Sequence, residues 1–173
     1  MPMRDLCVYI DDNEVDVLRF DDWEELEQYV QDEIGIDIET AIFSDDGNNI
    51  PYDDECSKNI TSDKIRDLIR VILDNKPYIN YSEFEEKLVA FILWYFNDTT
   101  CTEWDEFDNA YLGTYNNETD FLHEQLSKDS EWYAALHEAN RLRYYDFERE
   151  WNDWRAEGYF YILFGERHFY APM

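Results

Sequence analysis

Positive charge is what this sequence has least of: 14 Lys and Arg stand against 42 Asp and Glu, a formal net charge of −28. A surface so poor in cations repels phosphates, which excludes a direct grip on nucleic acid. Glycine (5) and proline (4) are also scarce, and there is no Gly-rich phosphate loop, no nucleophile elbow and no low-complexity linker. Three cysteines, Cys7, Cys56 and Cys101, are widely spaced and odd in number, which argues for a reducing compartment rather than a disulfide framework. No apolar run reaches the ~18 residues of a membrane span, and "MPMRDLCVYI" lacks the apolar stretch of a secretory leader, so no membrane association and a cytoplasmic setting are expected. His123, His137 and His168 occur singly, without zinc-type spacing. The acidic runs "DDNEVDVLRFDD" and "SDDGNNIPYDDE" lack the Gly and Glu positions of a calcium loop. No metal, no cofactor and no catalytic residue are therefore expected, and the chain reads as a non-enzyme.

What is present is a foldable chain. Hydrophobic residues make up 45% and aromatics 18%, far from the composition of acidic disordered proteins. The acids are uneven: residues 1–60 hold 19 acids and 3 bases, residues 61–100 hold 7 and 5, and residues 101–173 hold 16 and 6. Two acidic blocks flank a nearly neutral, apolar one. Self-repulsion at this charge destabilises a compact state, so the natural reading is that the charge is used, on a basic partner.

The pattern along the chain predicts an α+β fold of three small domains in series, elongated overall. Residues 1–58 read β-β-α-β. "DLCVYI" and "VDVLRF" alternate about the turn "DDNE", and Asp22 with Glu25 forms a capping-box pair before "WEELEQYVQDEIG". There Trp23, Leu26, Val30 and Ile34 form an inward stripe, and "TAIFS" follows as a strand closed by "DDGNN". Residues 59–100 read helical. Ile65, Leu68, Ile69, Ile72 and Leu73 keep helical spacing after a cap at Thr61 or Ser62. Pro77 stops that helix, and a Ser82–Glu85 capping box opens "FEEKLVAFILWYF", apolar almost all round.

Residues 101–173 mix helices with a terminal hairpin. "TEWDEFDNAYLG" reads as a helix with Gly113 as its C-cap, and "NETDFLHEQL" and "SEWYAALHEA" as short amphipathic helices. "YYDFEREWNDWRAEG" sets Tyr144, Phe147, Trp151 and Trp154 along one face. "YFYILFGERHFY" gives two aromatic strands around Gly165.

Duplex DNA carries about one negative charge per ~1.7 Å of axis, so 28 charges at that density would cover roughly 48 Å. Carboxylates on a helix at i, i+4 spacing advance about 6 Å, close to phosphate spacing along a strand. The acids placed for this are Asp21, Asp22, Glu24, Glu25, Glu27, Asp32 and Glu33 in the first block, and Glu103, Asp105, Glu106, Asp108, Glu118 and Asp120 in the third.

Residues 107–121, "FDNAYLGTYNNETDF", resemble the aromatic–Gly signature of the ArdA family of antirestriction proteins, an "AYxGxY" stretch followed by an acid–Phe helix start. "YYDFEREWNDW" and "AEGYFYILFGERHFY" are similar to the family's later motifs, and "YSEFEEKLVAFILWYF" suits its helical middle domain. The likeness covers residues 80–173. In the front third, "YIDDNEVDVLRF" stands where the family has an "AYN-G…G-W" stretch. The resemblance implies an elongated, dimeric, three-domain mimic of bent duplex DNA. Such a mimic comes from a phage or conjugative element, acts inside a bacterial host and occupies the DNA-binding surface of type I restriction–modification enzymes. It implies a homodimer joined through the C-terminal domain, where Tyr111, Tyr115, Tyr144, Tyr145 and the terminal hairpin lie; read as residues alone, these aromatics serve a core equally well. The alternatives are a mimic aimed at a CRISPR effector, a nucleoid protein or a repair enzyme, and an acidic binder of basic proteins.

Overall fold

Two consecutive aspartates make the first turn. Strands β1 (Cys7–Ile10) and β2 (Asn13–Asp16) pair antiparallel with Ile10 opposite Asn13, so Asp11 and Asp12 alone bridge them. Both have positive φ, 45° and 65°, as a two-residue loop needs to match the twist of its strands. The Asp11 carboxylate accepts from the Ile42 N–H at 2.7 Å, which ties the turn to β3 (Phe43–Ser44) in a sheet of order β2-β1-β3. The second strand ends earlier than its alternation suggests. Val17–Arg19 form a 3-10 turn because the Asp16 carboxylate accepts from the N–H groups of Leu6 and Leu18, both at 3.1 Å.

The structure, a computed structural model, describes residues 2–45, 49–52, 60–97 and 102–173. Cys56, Cys101 and most of the "DDGNN" turn lie outside them.

Helix α1 (Trp23–Tyr29) runs into a π turn at Val30–Ile34, and Gly35, at φ 82°, closes it by donating its N–H to the Val30 carbonyl. Trp23, Leu26 and Val30 are buried as expected, but Ile38 rather than Ile34 completes the stripe. The wider π turn changes the helical phase, so i+4 spacing no longer holds there. In α2 (Ser62–Asn75), capped by Thr61, all five periodic residues are buried. Pro77 sits in the 3-10 turn that follows, Lys76–Tyr78.

Helix α3 (Tyr81–Phe96) starts one cap earlier than Ser82: the Asn80 side chain accepts from the Ser82 N–H at 3.0 Å. Every residue from Ala90 to Phe96 is buried. Against this helix lies α4 (Trp104–Ala110), with Trp104 stacked on Phe84 at 5.1 Å and Phe107 edge-on to Phe91 at 5.2 Å. Burying a side chain such as Phe91 contributes about 1.5–3 kcal/mol, so this aromatic cluster is a main source of stability.

The chain separates into two compact units, one reaching Asn109 and one spanning Ala110–Met173. The expected segments 1–58 and 59–100 share the first unit. The Phe43 N–H donates to Ser62 Oγ at 2.9 Å, and the Lys76 ammonium to the Phe20 carbonyl at 2.7 Å, so sheet and helices form one body. Most of α4, expected in the third domain, belongs to that unit as well.

In the second unit, β4 (Tyr111–Tyr115), β5 (Phe160–Phe164) and β6 (Glu166–Tyr170) form an antiparallel sheet of order β4-β6-β5. The terminal hairpin is therefore two strands of three. Gly113 is not a helix C-cap. It sits inside β4 at φ 115°, where the register against β6 shifts between Tyr111 and Gly113. Helices α5 (Glu118–Asp129), α6 (Glu131–Glu138) and α7 (Phe147–Ala156) have their caps at Asn117, Ser130 and Asp146. Phe121, Leu122, Trp151 and Phe169 form the core, with Phe121 stacked on Phe169 at 4.1 Å. Among the described residues the protein is α+β, with seven α-helices and two three-stranded sheets, and no helix is long and apolar enough to cross a membrane.

Candidate acidic binding surface

The α1 acids are held by the helix that displays them. The Asp22 carboxylate accepts from the Glu25 N–H at 2.9 Å, so the cap read in the sequence forms, while the Glu25 carboxylate returns to the Asp21 N–H at 2.7 Å rather than to that of Asp22. Carboxylates here also meet the positive end of the helix dipole. The buried stripe below is clamped by Arg70, whose guanidinium lies 4.6 Å from the Trp23 ring centre. Asp21, Asp22, Glu24, Glu25, Glu27, Asp32 and Glu33 are all exposed. They occupy the whole solvent side of the helix rather than one narrow row. Asp32 accepts from the Gln28 amide at 2.8 Å. Among the described residues none of the seven forms a salt bridge. At about 1.5 Å per residue the stretch spans roughly 18 Å, over which a duplex carries about ten charges.

The second set is divided by the unit boundary. Glu103, Asp105, Glu106 and Asp108 are exposed around α4 in the first unit, because Trp104 and Phe107 turn inward. Asp108 is not an unpaired charge. Lys87 Nζ lies 2.6 Å from it and 2.8 Å from Glu83. Burial pulls the Lys87 pKa down, and hydrogen bonds to these two carboxylates more than offset that. Glu118 and Asp120 sit at the start of α5 in the second unit. Glu118 pairs with Arg167 at 3.5 Å, and the Asp120 carboxylate accepts from the Asn117 side-chain amide at 3.1 Å. Four of the thirteen chosen acids thus have local partners that the spacing of acids did not show: Asp32, Asp108, Glu118 and Asp120.

The four tyrosines part company. Tyr111 bonds its hydroxyl to Thr114 Oγ1 at 2.7 Å and packs on Tyr170, and Tyr115 is edge-on to Phe121 and Phe169. Tyr145 joins Tyr133 and Phe147 in an aromatic cluster, where burial first, then Glu150, pushes its hydroxyl pKa well up. Tyr144 lies in a 3-10 turn before α7 and is 76% exposed, so it is off the apolar face assigned to it.

Sequence reading missed two long-range pairings. Arg66 and Arg70 both reach Glu39. His123 on α5 and His137 on α6, read as isolated, have ring centres 5.0 Å apart. Two short amphipathic helices joined at a single capping residue, Ser130, were the available signal for the second. His168 is buried on β6, with Nδ1 3.2 Å from Thr114 Oγ1. Among the described residues no three His, Cys, Asp or Glu side chains gather as a metal cage. Comparison with known protein families, with curated proteins and with solved structures finds no match to this chain.

Proposed function

We propose that this protein is an antirestriction protein that acts as a DNA mimic, occupying the basic DNA-binding channel of a type I restriction–modification enzyme with its surface carboxylates. The observation that carries the reading is the α1 surface: seven exposed carboxylates on one anchored element, none with a salt-bridging cation among the described residues. An unneutralised patch at roughly two-thirds of duplex charge density attracts proteins whose Lys and Arg evolved for phosphates, with steep salt dependence. The motif likeness over residues 80–173 supports the same class and names the target. The proposal includes a homodimer joined through the C-terminal unit, to which exposed Tyr144 can contribute.

The test is DNA cleavage by a type I enzyme with and without the protein, at rising salt. Stoichiometric protein stops cleavage at low salt, and inhibition fades as salt rises. A quadruple variant, Glu24→Gln, Glu27→Gln, Asp32→Asn and Glu33→Gln, spares the capping pair and weakens inhibition about tenfold or more, since each exposed charge pair contributes about 0–1 kcal/mol. Undiminished cleavage at several-fold molar excess of the unmodified protein overturns the reading. Inhibition of an unrelated DNA-binding enzyme in its place would redirect it to another target.

A further inference from the structure

Helices α5 and α6 form a hairpin with almost no link. Ser130 ends one and starts the other: its N–H donates to the Leu126 carbonyl at 2.9 Å, and its hydroxyl accepts from the Tyr133 N–H at 3.2 Å. This closure sets His123 against His137 edge to face, ring centres 5.0 Å apart. His123 is half-buried and His137 exposed. Under them Tyr133 is fully buried, and its hydroxyl lies 2.8 Å from His123 Nδ1.

The geometry points to a two-histidine clamp for a borderline divalent transition ion, of the Cu²⁺, Ni²⁺ or Zn²⁺ class, held between His123 Nε2 and a ring nitrogen of His137 with water completing the shell. A metal about 2.1 Å from each nitrogen stands about 3.2 Å from each ring centre, so a tetrahedral angle separates the centres by about 5 Å. The observed spacing matches. The second observation is the Tyr133 hydroxyl. A ligating imidazole almost always gives its other N–H to a fixed acceptor, which sets the tautomer and aims the remaining lone pair at the metal. In the tautomer whose Nδ1–H donates to the Tyr133 hydroxyl, the His123 lone pair stands on Nε2.

The chemistry of the donors selects the ion. Two imidazoles prefer Cu²⁺, Ni²⁺ and Zn²⁺, whereas Mg²⁺ and Ca²⁺ seek carboxylate oxygen and spread over the acidic surface. A net charge of −28 raises the local concentration of any cation, but only the clamp distinguishes soft from hard ones. A bound ion cross-links α5 to α6 and holds the second unit together. This inference is independent of the proposed antirestriction role.

The test is Cu²⁺ titration of the full chain in excess Mg²⁺, followed by calorimetry and by electron paramagnetic resonance. The unmodified protein takes one tight equivalent with a two-nitrogen signature, and its melting temperature rises with Cu²⁺ or Zn²⁺. His137→Ala, an exposed substitution that leaves the fold intact, loses the two-nitrogen signature and the thermal shift. Tyr133→Phe keeps the ring packing but weakens binding about 10–100-fold, as expected for loss of an outer hydrogen bond to a ligand. Equal Cu²⁺ affinity in the unmodified and His137→Ala proteins, or complete displacement by Mg²⁺, overturns the clamp.

Discussion

The ring of Tyr115 fills the space that a side chain on Gly113 would need: a Cβ there would stand 3.2 Å from Tyr115 Cε2 and 3.4 Å from its hydroxyl oxygen. The two residues are neighbours on one strand, so the missing side chain of one makes room for the large side chain of the other. Tyr115 uses that room to reach Phe121 and Phe169 edge-on. The "AYLGTY" stretch is thus a piece of core architecture in the second unit.

Gly113→Ala is expected to destabilise that unit. Its φ of 115° is unfavourable for any residue with a Cβ, and the Tyr115 ring must also shift. The cost is about 1–3 kcal/mol, read as a lower urea midpoint with the tyrosine and tryptophan signals of the second unit moving first. An unchanged midpoint would mean that the strand relaxes freely around the new methyl group.

Asp12→Gly is expected to stabilise the first unit. Asp12 holds φ 65° in an exposed turn and takes no part in the Asp11–Ile42 hydrogen bond. Glycine adopts that conformation without steric cost and removes one charge from a strongly self-repelling chain, a gain of about 0.5–1 kcal/mol. Thermal denaturation at moderate salt checks it, because screening separates the backbone part from the charge part.

Asp108 and Glu24 are expected to behave oppositely. Asp108→Asn breaks the 2.6 Å pair with Lys87 and lowers stability by up to about 1 kcal/mol. It leaves inhibition of a DNA-binding target unchanged, since Lys87 already compensates that carboxylate. Glu24→Gln does not lower stability, and it adds to the loss of inhibition when combined with its α1 neighbours. Parallel denaturation and inhibition assays on the two variants decide between a local and an interfacial role.

His168 is expected to make stability depend on pH. Burial lowers its pKa, so the native state keeps the imidazole neutral where the unfolded chain already binds a proton. Between the ordinary histidine value of about 6.5 and the lowered native value, the unfolded state carries more protons, and stability falls as pH falls. Above that window both states are neutral and the effect vanishes. His168→Gln flattens this slope while the carboxylate contributions cancel in the comparison. Urea midpoints for both proteins at about pH 7.5 and about pH 5.5 measure it; parallel slopes would remove His168 from the account.

Features that depend on residues one helical turn apart were readable from the chain. The cap at Thr61 or Ser62, which the structure assigns to Thr61, the five-residue stripe of α2, the stop at Pro77, the Asp22–Glu25 bond and the burial of α3 all follow from i, i+3 and i, i+4 neighbours, which local sequence fixes directly. The exposure of the α1 acids follows as well, because the apolar stripe leaves them one side to occupy. Where a local rule met a distant partner, the distant partner won. Gly113 looked like a helix end and became a strand because β6 offered hydrogen bonds to β4. Ser82 lost the cap to Asn80, and Val17 left its strand once Asp16 bonded two backbone N–H groups.

Composition and spacing by themselves determined the excess of negative charge, the helices that carry it and the faces those helices bury. Only the tertiary structure decided which carboxylates meet a cation, where one unit ends and the next begins, and that His123 and His137 stand side by side. The physical reason is chain closure. Such contacts join residues far apart in sequence, their entropy cost is met by the packing of the whole unit, and no short window of residues records that balance.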